Sequence, residues 1–77
     1  MTMKEIAPRI TIDEGVAFGK PVIQGTRVPV ALLVGKLAGG MSIAEVSREY
    51  EVETEDVLAA LSYAAWLLGE EQILAIA

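Results

Sequence analysis

The chain has no cysteine and no histidine. Without cysteine there can be no disulfide and no thiolate metal site. Without histidine, the side chain that most often serves as acid–base group and metal ligand near neutral pH is missing. Proline and aromatics are sparse: three Pro, one Trp, two Tyr and one Phe. Positive charge is short too, with six Lys and Arg against eleven Asp and Glu and a net charge of −5. Proteins that hold DNA by neutralising phosphates usually carry a basic face, so tight DNA binding by a lone copy is disfavoured. Long apolar runs are also lacking. The run near the C-terminus, Ala64 to Leu68, falls far short of the ~20 residues a membrane span needs. Met1 to Pro8 lacks the apolar stretch of a signal peptide, and a cytoplasmic location is the expectation.

What is present is apolar. Hydrophobic residues make up 53% of 77, above the ~45–50% usual for globular chains. A domain this small buries a low fraction of its surface. Either the core is unusually rich in Ala and Val, or part of the apolar surface is covered by another subunit or partner.

Local signals divide the chain into a flexible N-terminus (1–8), a β arm (9–29), a helical core (30–69) and a short C-terminal helix or tail (70–77). Arg9-Ile10-Thr11-Ile12-Asp13 alternates as a strand does. Pro21 to Pro29 reads as two very short strands about a tight turn at Gln24-Gly25, where glycine supplies positive φ. Pro29 suits the first turn of a helix that Gly39-Gly40 ends. Ser42-Ile43-Ala44-Glu45 is a capping box opening a second helix to about Tyr50, with Ile43, Val46 and Tyr50 on one stripe. After the turn Glu51-Val52-Glu53, Thr54 is the expected N-cap of a third helix, and Glu55 and Asp56 suit its positive end. Val57, Leu61, Ala64 and Leu68 form the expected core stripe of that helix, with Leu58 and Ala65 beside it. Gly69 closes it.

The fold class is therefore mainly α: a trihelical, homeodomain-like helix-turn-helix core behind a short N-terminal β-strand or hairpin arm. Val52 is the apolar plug of the turn. DNA-reading helices present Arg, Lys, Asn or Gln near their start. This one presents Glu55, Asp56, Ala59 and Ser62, so any DNA contact falls to Arg9, Lys20 and Arg27 on the arm. Tyr63, Trp66 and Leu67 lie off the core stripe, and Ile73, Leu74 and Ile76 follow. Aromatics dominate interface hot spots, so these six are candidate partner-binding residues, unless the last segment folds back and buries them. Lys36 and Arg48 could equally pair with Glu45 or Glu49 on neighbouring turns, at small net gain. No serine or threonine has a visible base partner, and Gly15 to Lys20 is not a phosphate loop because proline follows the lysine. The chain reads as no enzyme and implies no metal or other cofactor.

One stretch is distinctive. Gly19-Lys20-Pro21-Val22-Ile23-Gln24-Gly25-Thr26-Arg27-Val28-Pro29 resembles the domain-of-unknown-function 433 family. Arg9-Ile10-x-x-Asp13, the run Leu37 to Glu45, and Asp56-Val57 through Tyr63-Ala64 match it as well. The resemblance spans roughly residues 9 to 68. It implies a homeodomain-like fold and an antitoxin of a bacterial type II toxin–antitoxin pair, neutralising a toxin with a PIN-like nuclease domain, with repression of its own operon left open. Such nucleases hold metal with clustered carboxylates, which makes Arg27 a candidate cation for the partner. The alternative for Arg27 and Thr26 is locking the hairpin onto the helices. Two positions depart from the family pattern: Glu14 and Glu51 stand where proline is frequent. The competing reading is a dimeric adaptor that binds neither toxin nor DNA. A homodimer is expected, since short exposed strands invite pairing.

Overall fold

The computed structural model describes residues 3–69. The order is β1 (Lys4–Ala7), β2 (Ile10–Ile12), a tight turn (Ala17–Gly19), β3 (Val22–Ile23), α1 (Val30–Ala38), α2 (Ile43–Tyr50) and α3 (Thr54–Leu68). The strands form one antiparallel sheet in the order β1-β2-β3. The protein is mainly helical, with the sheet at its N-terminal end.

Residues 4–7, expected as a flexible lead-in, are instead β1. They pair Lys4 with Ile12 and Glu5 with Thr11, and the register slips between Glu5 and Ala7. Alternation is short and mixed there, so periodicity carried no signal. What orders the strand is its partner. Ile10, its neighbour across the slip, is wholly buried, and Ile6 and Ala7 pack on the same core.

The turn at Gln24-Gly25 is present, with Gly25 at φ 79°. Thr26 holds it: its hydroxyl donates 2.8 Å to the Ile23 carbonyl and accepts 2.9 Å from the Val28 N–H. Only its first leg is a strand, however. The second contributes a single bridge, Val22 to Pro29, because Pro29 has no N–H to extend a ladder. β3 finds its ladder on β2 instead, Ile10 opposite Ile23 and Thr11 opposite Val22.

The second helix begins as its sequence requires. Ser42 Oγ accepts from the Glu45 N–H at 3.1 Å and Glu45 Oε1 accepts from the Ser42 N–H at 2.8 Å. Its end is less ordinary. Glu51 takes φ 57°, the left-handed region, which a proline, fixed near −65°, could not adopt. Val52 then turns inward, 7% exposed. Its N–H donates to the Ser47 carbonyl and its own carbonyl accepts from the Ser47 hydroxyl. The third helix starts one residue earlier than expected. Glu53, not Thr54, is its N-cap, because Asp56 Oδ2 reaches back to accept the Glu53 N–H at 2.9 Å.

The core joins Ile10 and Ile23 of the sheet to Val30 and Leu33 of α1, Val46 of α2, Val52, and Val57 and Ala60 of α3. The expected α3 stripe holds only in part. Val57 is buried and Leu61 and Ala64 are half-buried, while Leu58, Ala65 and Leu68 are exposed. Leu58, near the start of α3, is exposed because it lies off the face that buries Val57 and Ala60; for Ala65 and Leu68 the reason is length. At ~1.5 Å per residue, the 15 residues of α3 outrun the nine of α1 and eight of α2. Its last turns overhang the body.

Candidate functional site

The second half of α3 presents an exposed apolar surface. From Val57 to Gly69 it carries no charge, and Trp66, Leu67 and Leu68 are 71%, 59% and 63% exposed. Tyr63 and Trp66, one helical turn apart, stack with ring centroids 6.1 Å apart and planes at 28°. The pair forms one wall of a hollow of about 370 Å³, closed on the opposite side by Ile6 and Pro8 of the β arm. On the other flank of Tyr63, Ala64, Leu67 and Leu68 face Pro21, Ala31 and Val34 across a second groove of about 490 Å³. Lys20 at its rim is the groove's charged residue. One helix thus presents two apolar hollows, separated by a tyrosine that lines both. The expected partner-binding set is brought together as far as Tyr63, Trp66 and Leu67. Ile73, Leu74 and Ile76 lie outside the described residues, as does the expected C-terminal helix or tail.

The cations of the arm do not converge. Arg9 is committed to α3: its guanidinium donates 2.8 Å to Asp56 Oδ1 and 3.1 Å to Glu53 Oε1. The Asp56 carboxylate foremost, then Glu53, holds the guanidinium charge and raises its pKa. The Arg9 backbone is held as well, its N–H by Glu5 and its carbonyl by the Gln24 N–H. These bonds keep a non-glycine residue at φ 67°, a conformation that costs on the order of 1–2 kcal/mol. Arg9 therefore neutralises the start of α3 rather than standing free for a phosphate. Lys20 and Arg27 are exposed, Lys20 at the rim of the second groove and Arg27 beside a shallow depression with Asp13 and Met3. Thr26, not Arg27, ties the hairpin. Glu45 is taken up by the capping box, which lowers its pKa through the Ser42 N–H first and the Ser42 hydroxyl second.

Among the described residues no His, Cys, Asp or Glu cluster is arranged to hold a metal ion, and no helix is long and apolar enough to cross a membrane. One conspicuous residue escaped the sequence reading. Phe18 is 97% exposed, at the centre of a turn in which Ala17, Phe18 and Gly19 take φ of 51°, 59° and 80°. Non-glycine residues in that region are rare. The available clue was compositional: an aromatic between Gly15 and Gly19, where no apolar period asks for one.

Fold and surfaces define the class: a small, mainly helical module with an antiparallel β arm and an uncharged, apolar end to its last helix. The chain belongs to the family described as "Protein of unknown function (DUF433)", whose model matches residues 10–64. No curated protein matches it in sequence. Among solved structures it is similar to Rv2018 from Mycobacterium tuberculosis, with 31% identity and a TM-score of 0.63 over 68% of this chain. It spans 24% of that longer chain.

Proposed function

We propose that this chain is a non-catalytic, cytoplasmic binding module: the antitoxin-like half of a type II toxin–antitoxin pair, whose α3 covers a PIN-like nuclease. The observation that carries the binding reading is the Tyr63–Trp66 pair, a half-buried tyrosine stacked on a largely exposed tryptophan and set on an uncharged helix end. Exposed large apolar patches mark interaction sites, and Trp and Tyr anchor them. The antitoxin assignment rests on the family resemblance. In this reading α2, the turn with its Val52 plug, and α3 are a helix-turn-helix of homeodomain-like type, kept as a packing frame. Glu53, Glu55 and Asp56 at the start of α3 repel phosphates, which argues against α3 as a DNA reader. With Arg9 in ion pairs, operator contacts fall to Lys20 and Arg27. Arg27 is the cation offered to the nuclease's carboxylates.

Co-expression with the neighbouring gene's product tests the reading. A stable complex that blocks its nuclease activity, weakened at least tenfold by Trp66→Ala, is the expected result. No complex, or one indifferent to Trp66, overturns it. Inhibition unchanged by Arg27→Ala removes Arg27 from the mechanism, and a gel shift of the promoter fragment that fades with salt tests repression. The second reading, an adaptor module without toxin or DNA, is favoured by one observation: the similar segment of Rv2018 is a quarter of a larger chain.

A further inference from the structure

We propose that two copies of this chain pair about a two-fold axis, the Phe18 side chain of each entering the groove between α1 and α3 of the other. Tooth and hole belong to one patch. Phe18 stands 97% exposed, and Lys20 and Pro21, two and three residues on, line the groove. A surface that carries both a knob and its complement is self-complementary, which a two-fold interface requires. The turn that holds Phe18 out is built from positive-φ residues that L side chains seldom adopt. Such conformations persist where the surroundings enforce them, and they concentrate at binding sites.

The groove fits a phenyl ring. Its space of about 490 Å³ is walled by Pro21, Ala31, Val34, Ala64, Leu67 and Leu68. Its floor is open at Gly35, where an added Cβ would meet nothing within 4 Å. Charge agrees: the incoming loop carries the exposed Glu14 and the receiving rim carries Lys20. The strand edge is the poorer route to a pair. A two-fold axis on β1 that sets Glu5 across from Glu5, or Lys4 across from Lys4, places like charges together. With one aromatic anchor of ~150–250 Å² on each side, the contact is smaller than the ~800 Å² per partner of a standard interface, and the pair is a weak one. With −5 on each copy, added salt should tighten the pair by screening their repulsion, opposite to its effect on DNA.

Sedimentation velocity of the full chain across concentration and salt reads this directly. Phe18→Asp removes the tooth. Gly35→Glu blocks the hole at an exposed helical position, where glutamate is a better helix former than glycine. Each should weaken pairing at least tenfold, with no loss of thermal stability in melts run below the concentration at which copies pair. Mixing the two variants should restore a heterodimer, which keeps one intact tooth-in-hole contact. The proposal is overturned by a monomer at every concentration, whether its groove lies open or is filled by residues 70–77. A dimer indifferent to Phe18→Asp, or variants that do not complement on mixing, overturns it equally.

Discussion

Leu33 and Leu68 are the same side chain on two helices, and the fold assigns them opposite fates. Leu33 is 0% exposed at the centre of the core; Leu68 is 63% exposed on the α3 overhang. Cutting either to Ala leaves helix propensity nearly unchanged, so the difference in cost isolates burial. Leu33→Ala removes a fully buried side chain from among Ile10, Ile23, Val46, Val57 and Ala60. Transfer and cavity terms together cost about 3–5 kcal/mol for such a site. A chain of this length has only about 4–12 kcal/mol in all. The melting temperature should therefore fall by roughly 12 °C or more, if the chain still folds at 25 °C. Leu68→Ala should stay within about 0.5 kcal/mol. Urea titrations followed by circular dichroism, run below the concentration at which copies pair, give both numbers from one assay. A Leu68→Ala loss matching that of Leu33→Ala would refute the reasoning: the periodic stripe Val57–Leu61–Ala64–Leu68 would then be a core line after all.

Other outcomes follow from single contacts. Ser42→Ala deletes the acceptor of the Glu45 N–H and should cost about 1 kcal/mol, read as a drop of several degrees in a thermal melt. Glu45 has its folded pKa lowered by the Ser42 hydrogen bonds. Its contribution is present above its unfolded value, near 4.5, and is lost as pH falls through the folded one. Glu45→Gln should flatten the stability loss below about pH 4.5, as measured by urea midpoints in acid. Glu51→Gly relieves a left-handed non-glycine residue. It should raise stability by roughly 0.5–1 kcal/mol despite the freer unfolded chain, and an unchanged or lowered midpoint would contradict the φ of 57°.

Much of this protein was legible in residue order because the deciding forces are local. A serine three residues before a glutamate satisfies orphan amides wherever it stands, so Ser42 and Glu45 announced α2. Gly25 announced its turn, and Val52, lone and apolar between acids, announced the plug. The four glutamates and aspartate from Glu49 to Asp56 likewise marked the start of α3 as a poor phosphate contact. The resemblance carried by Gly19 to Pro29 was legible in the same way, residue by residue.

Tertiary structure decided what depends on which distant partner a side chain meets. No periodicity marked Lys4–Ala7 as a strand, because its order comes from β2 and the core behind it. Arg9 read as a free cation until the fold laid it across the start of α3, 44 and 47 residues away. The shift of the N-cap from Thr54 to Glu53 is by contrast local: Asp56 stands three residues after Glu53, at capping-box spacing, and accepts its N–H. The stripe on α3 is a property of that helix, but whether it is core depends on how far α1 and α2 extend alongside it. Along its last turns α1 faces it only across an open groove, and so leucines that repeat at helical spacing end in the open. Local chemistry specifies elements and caps from sequence. Burial is a relation between elements, and it exists only once the chain has packed.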